Sequence, residues 1–286
     1  MRVHEQRRER MRELEALDPD ADWLEIYRRL TLWELPAEAR FGFQLAFYRP
    51  LAVPRMASVL DGTGHLRRDT MKRAYDTGIV IHEIIWGGVE SKRGQQMVRL
   101  LNKIHDRPGI YAQDMSYVLD CLVVVPTRFM DTYGWRRVTD QERSATWRFC
   151  EVLGRRMGIA SRSTSYEDAE RRLGEYEAEH LAASSAGVSL TQVSVRVLAQ
   201  RLPRPVRSWA PELTSALVND PAVAQALGLP STSRGVSAVL RSAAALRRVI
   251  ERRRPPSADP SFWPGRPAGD VYPHGYQLSE AGPSGA

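Results

Sequence analysis

Apolar residues recur at three- and four-residue intervals along most of this chain, and strand-like alternation is nearly absent. That periodicity predicts helices over residues 3–17 and 23–33, the second with Trp23, Ile26, Tyr27 and Leu30 on one face. An aromatic segment follows Pro36, breaks at Pro50 and resumes near Pro54, and Asp61-Gly62-Thr63-Gly64 is a stop. Arg73, Thr77, Val80, Ile81 and Ile84 share one helical side. Beyond the turn that starts at Trp86-Gly87-Gly88, a second helix is predicted over 95–104, with Met97, Val98, Leu101 and Ile104 as its apolar face. Asp114 is placed to cap a broad-faced, central helix that Pro126 should end. Thr139-x-x-Glu142 has the spacing of a capping box and opens a helix running to Met157. Further helices are predicted over 165–180, 188–202, 206–218, 221–227 and 236–253.

The pattern implies an all-α fold: one globular multi-helix domain over 18–254, a peripheral helix over 1–17, and an irregular Pro/Gly-rich tail over 255–286 with mobile last residues. No internal repeat is evident.

Composition narrows the classes. With 43% hydrophobic residues the chain can bury a sizeable core. The longest apolar candidate, 118–125, is interrupted by Asp120, so no transmembrane helix is expected. Arg7-Arg8 is followed by acidic residues rather than an apolar stretch, which argues against a secretory or twin-arginine signal and points to the cytoplasm. Cys121 and Cys150, both in apolar periodic segments, read as buried thiols, and two cysteines exclude thiolate zinc fingers and four-cysteine clusters. Of the 41 basic residues only three are lysines, and the formal charge is +7. The arginines are spread along the chain apart from a cluster at 247, 248 and 252–254, so nucleic acid is not expected as a partner. Oligomeric state is not readable.

The residues with most chemical promise lie in 73–105. His105 falls four residues after Leu101 and seven after Val98, which puts an imidazole on the apolar face of the second helix. Spacing alone supports a core histidine bonded to a backbone carbonyl; the sharper alternative is a metal or heme ligand. His82 lies five residues beyond Thr77, points elsewhere, and is the spare candidate; His4, His65 and His274 fall in a charged helix, beside a turn and in the tail. Glu177-x-x-His180 matches half of a di-iron carboxylate site, but no second such unit exists, so a solvated polar helix is the plainer reading.

The ordered set KRAYDTG (72–78), LLNKIH (100–105), DMSYVL (114–119), YGWRRVTDQE (133–142), LGRRMGI (153–159), EYEAEH (175–180) and YPHGY (272–276) resembles the oxygenase family of fungal MpaB-type enzymes and bacterial latex-clearing protein, a rubber oxygenase. The resemblance runs over roughly residues 18–282. It implies a helical fold holding heme b, with His105 as axial iron ligand and Arg73 and Thr77 beside the heme as catalytic and cofactor-binding residues. It further implies dioxygen and a hydrophobic unsaturated small molecule as substrates, with oxidative cleavage of a carbon–carbon double bond as the reaction. Two departures count against polyisoprene. Asp76 stands where latex-clearing protein has a distal lysine, and 52–60 holds no carboxylate to serve as that enzyme's base. The alternatives are a non-enzymatic module binding an apolar ligand or a partner, and a di-iron carboxylate oxidase.

Overall fold

The computed structural model describes residues 3–282. Among them are fourteen α-helices and no strand, as the periodicity predicts; the only bridge pairings are Ala268 with Tyr272 and Pro273 with Gly275. The N-terminal helix α1 (Val3–Glu15) buries Leu14 alone, which fits a peripheral element. α2 (Trp23–Arg28) runs into a π-helical turn (Arg29–Glu34), and α3 (Pro36–Tyr48) leads through a 3-10 turn (Arg49–Ala52) to α4 (Pro54–Gly62). Pro36 and Pro54 each sit in a first helical turn, where a missing N–H costs nothing. A short α5 (His65–Arg68) precedes the hairpin of α6 (Thr70–Gly87) and α7 (Lys92–His105).

The centre of the fold is α8 (Ala112–Tyr133), packed between α3, α9 (Asp140–Arg156) and α10 (Tyr166–His180). It runs straight through Pro126, where the sequence predicts an end. Val123, Val124, Val125, Phe129 and Met130 are all buried around the proline, and that burial outweighs one lost hydrogen bond. α3 crosses at this point, and a Cβ on Gly42 would run into Pro126 Cα, so glycine permits the contact. α9 opens with the capping box: Glu142 N donates to Thr139 Oγ1 at 3.2 Å and Thr139 N to Glu142 Oε2 at 2.9 Å. Tyr27 of α2 packs on Phe149 of α9, ring centroids 4.5 Å apart.

α11 (Ser185–Arg201) lies across α4, and the fold is completed by α12 (Ala210–Val218), α13 (Pro221–Ala226) and α14 (Arg234–Arg253). Over 255–282 the chain is irregular, as expected, but it is docked: Ser261 N donates to Leu32 O at 2.8 Å and Trp263 packs on Trp86 at 4.8 Å. The mobility expected of the last residues concerns 283–286, outside the described residues.

His82 is enclosed in this packing. Its Nδ1 donates to Gly78 O at 2.7 Å, and its ring lies against Phe43 and Phe262. Burial drives its pKa down from the ordinary 6.5 to about 4. The folded chain therefore holds this ring neutral where the unfolded chain protonates it, so stability falls as the pH drops from 6.5 towards 4. We expect this group to cost about 2 kcal/mol at pH 5 relative to pH 7. Urea unfolding at the two pH values should show a smaller difference in His82→Leu.

Candidate functional site

The geometry of the hairpin decides which residues meet. Arg73 lies fourteen residues before Gly87, where α6 ends, and His105 fourteen after Ser91, which caps α7. At 1.5 Å per residue both are about 21 Å from the turn, so an antiparallel return brings them level. Gly88 makes the turn possible with φ 76°, ψ 158°, a conformation close to glycine-only. Ser91 Oγ then accepts from Gly94 N at 2.9 Å, and Gly94 has no Cβ to strike Gly88 O. α7 begins at Lys92, earlier than the predicted 95, because this cap lies ahead of the apolar face.

His105 is the last residue of α7 and partly buried. Its Nδ1 lies 2.7 Å from Leu101 O. A carbonyl only accepts, so Nδ1 carries the hydrogen and Nε2 keeps its lone pair. Burial and then the charges of Arg73 and Arg107 lower the His105 pKa, against the Leu101 bond, which raises it. The ring is thus neutral at pH 7, in the tautomer and state that a metal ligand requires.

Arg73 projects from α6 with Phe47 beneath it, the guanidinium carbon 6.0 Å from the ring centroid. Its Nη1 donates to Thr77 Oγ1 at 2.9 Å, and Thr77 Oγ1 donates to Arg73 O at 2.9 Å. The single Thr77 proton is thereby committed, and Thr77 acts as a brace for Arg73. Burial lowers the Arg73 pKa; Asp76 opposes this and Arg107 adds to it. No carboxylate among the described residues forms an ion pair with Arg73. A desolvated guanidinium beside a neutral imidazole, with a second arginine near both, is a place for a negatively charged group.

These features fit heme b in donor chemistry: one neutral imidazole for iron and one cation without an ion-paired carboxylate for a propionate. They do not fit a multi-ligand non-heme site, since no group of three His, Cys, Asp or Glu suited to a metal occurs among the described residues. Two open clefts, of about 430 and 470 Å³, are lined by α1 with Trp135 and Arg252, and by 183–192; neither lining includes Arg73, Thr77 or His105.

Three further polar clusters lie in the fold, and none was evident from spacing. Asp114 does not cap α8, whose cap position is Tyr111. It is buried, accepts from Arg55 Nε at 2.9 Å and from Tyr176 Oη at 2.5 Å, and so ties α4 to α10. Glu177 is not on a solvated face: Arg49 Nη1 reaches its two oxygens at 2.6 Å and Tyr117 Oη donates at 3.0 Å. His180 instead stacks on Tyr176 at 4.2 Å, with Nδ1 3.0 Å from Tyr176 O. Third, the tail is latched to α6. Tyr272 Oη donates to Asp76 Oδ1 and Tyr276 Oη to Glu83 Oε1, each at 2.6 Å. Both carboxylates are buried and each has a cation as well, Lys72 at 2.7 Å and Arg93 at 2.5 Å.

The pattern shared by the catalytic domains of "ER-bound oxygenase mpaB/B'/Rubber oxygenase" matches residues 30–250. The chain belongs to this oxygenase family. It is 27% identical over 259 residues to ER-bound oxygenase mpaB' of Penicillium brevicompactum, covering 84% of this chain and 61% of that protein. ER-bound oxygenase mpaB of the same fungus is 26% identical over 70% of this chain and 56% of its own length. The mpaB of Penicillium roqueforti (strain FM164) is 26% identical over 73% and 76%. The chain thus spans about three fifths of the first two relatives. No helix among its described residues is long and apolar enough to cross a membrane.

In this mpaB/rubber oxygenase domain, Arg73, Thr77 and His105 fall within the matched range, as do the Arg49–Glu177 and Arg55–Asp114 pairs. Tyr272 and Tyr276 lie beyond it, yet they hold the helix that carries Arg73. Hydrogen bonds to a charged partner contribute about 1.5–3 kcal/mol each. Tyr272→Phe with Tyr276→Phe is therefore expected to lower the unfolding free energy by about 3 kcal/mol or more and to expose 255–282 to limited proteolysis. A double variant with wild-type stability and protease resistance would show that the latch contributes nothing.

Proposed function

We propose that this chain is a heme b-dependent oxygenase that uses dioxygen on a hydrophobic, unsaturated small molecule, cleaving a carbon–carbon double bond. The observation that carries the proposal is His105 held neutral with Nε2 free, level with the Arg73 guanidinium, which forms no ion pair among the described residues. Heme b, when bound, would supply the redox-active iron at which dioxygen is activated.

The chain's own part is positional and electrostatic. The Leu101 carbonyl fixes the His105 ring so that Nε2 can ligate iron. Arg73 neutralises a propionate, and its charge does not titrate away in any ordinary pH range. Thr77 keeps Arg73 extended by accepting from Nη1. The Phe47 ring beside Arg73 and the buried apolar residues further along α6 offer apolar surface on this helix, which suits an apolar substrate. The proposed setting is the cytoplasm, since Cys121 and Cys150 are buried and unbridged.

Oxygen consumption with unsaturated isoprenoid acids and alcohols tests the proposal. The heme-loaded protein is expected to consume oxygen and yield carbonyl products, with Arg73→Gln retaining less heme and turning over more slowly. Heme-loaded protein that consumes no oxygen with any such compound would leave an apolar-ligand binder in place of an enzyme.

A further inference from the structure

Helix α14 turns Val236, Leu240 and Ala244 towards the protein together with Arg247 and Arg248, and leaves both arginines and large aliphatic side chains in water. Arg247 pairs with Glu38 of α3 at 2.8 Å, Arg248 Nε donates to Gly134 O at 3.0 Å, and Arg252 Nε donates to Trp135 O at 3.1 Å. The exposed side carries Val239, Ala243, Leu246 and Ile250, spaced i, i+4, i+7 and i+11, which is one continuous stripe. Val239 is 57% exposed, Leu246 62% and Ile250 41%, with Val249 at 45% beside them. Across the Arg247–Glu38 pair lies Phe41, 44% exposed, next to the exposed Arg40. Five of the seven large hydrophobics exposed among the described residues thus belong to α14 and the stretch of α3 it touches.

Charge says what this face suits. From Arg234 to Arg254 the sequence has seven arginines and one glutamate, a net of +6 where the whole chain has +7. Arg234, Arg241 and Arg253 are exposed, and no carboxylate among the described residues forms an ion pair with them. A second copy meeting this face about a two-fold axis would bring the same positive charge against itself. A nucleic acid would use the arginines but gain nothing from exposed valine, leucine and isoleucine. An anionic bilayer surface uses both, since the acyl boundary receives the aliphatic side chains and the lipid headgroups receive the exposed arginines of the same helix.

We infer that α14 is a peripheral membrane-docking helix that lies in the plane of an anionic lipid surface, seating Val239, Leu246, Val249 and Ile250 at the headgroup boundary. Its twenty residues give a contact about 30 Å long. This surface is independent of the His105 site and would operate whatever that site binds.

Co-sedimentation of the full chain with phosphatidylcholine vesicles, with and without roughly 30% phosphatidylserine, tests the inference. Binding is expected only with phosphatidylserine and should weaken as salt is added. It should fall roughly tenfold or more in L246E/I250E, and in R241E/R253E, while the circular dichroism melts of both stay at the wild-type temperature. These four positions are exposed, so two independent variants keep the test open should one melt early. No sedimentation with the anionic vesicles, or equal sedimentation of both well-folded variants, would overturn the inference. So would a dimer that L246E/I250E converts to monomer without affecting vesicle binding, or duplex DNA bound more tightly than vesicles and indifferent to L246E/I250E.

Discussion

His105→Ala, purified beside the wild type from cells supplied with heme precursor, is expected to lack the Soret band while keeping the wild-type far-ultraviolet spectrum. The ring is partly buried at the end of α7 and its one hydrogen bond, to Leu101 O, lies within its own helix. No other element depends on it, so the fold should survive its loss. Iron attachment should not: His65 also feels Arg73 and Arg107, but no side-chain hydrogen bond among the described residues fixes its ring. His82 has its Nδ1 on Gly78 O but its ring is packed between Phe43 and Phe262, and His180 is stacked on Tyr176. Free imidazole added to the variant should restore part of the band. A variant with unchanged heme content and spectrum would show that His105 does not hold the iron.

The second large effect concerns stability. Glu177→Ala is expected to lower the unfolding free energy by about 3–5 kcal/mol, the usual cost of leaving one member of a buried ion pair. Burial works against the Arg49 cation, and Glu177, together with Cys121 and Asp220, more than offsets it, holding the Arg49 pKa above its ordinary value. Both side chains are almost wholly enclosed, and after the substitution only Asp220, at 3.3 Å, would face the guanidinium. Tyr117 would lose its acceptor too. Replacing both members, as in Arg49→Met with Glu177→Leu, should recover much of the loss because no charge remains buried. Urea unfolding of the single and double variants measures this; a Glu177→Ala loss under about 1 kcal/mol would mean that water already reaches the pair.

What the sequence reveals of this molecule is what is local. Helix periods, the Thr139 capping box and the stop at 61–64 depend on neighbours within a turn or two, and they stand where expected. The level placement of Arg73 and His105 is also nearly local, since two helices and a glycine turn determine it. Pro126 misleads because its local preference is overridden by burial against α3, a segment far away in the chain. Asp114 has the look of a cap, and Glu177 of a solvated face, because each has its partner far off: Arg55 lies 59 residues from Asp114 and Arg49 lies 128 from Glu177. The tail reads as an appendage because Pro and Gly report irregular backbone and say nothing of the phenols that pin it to Asp76 and Glu83. Family resemblance pointed to Tyr272 and Tyr276 without giving them a task.

The most direct test is the ultraviolet–visible spectrum of the wild-type protein purified after expression with heme supply, with pyridine hemochromogen quantification. The account predicts a Soret band and close to one heme b per chain. A colourless protein that takes up no hemin when titrated would contradict it.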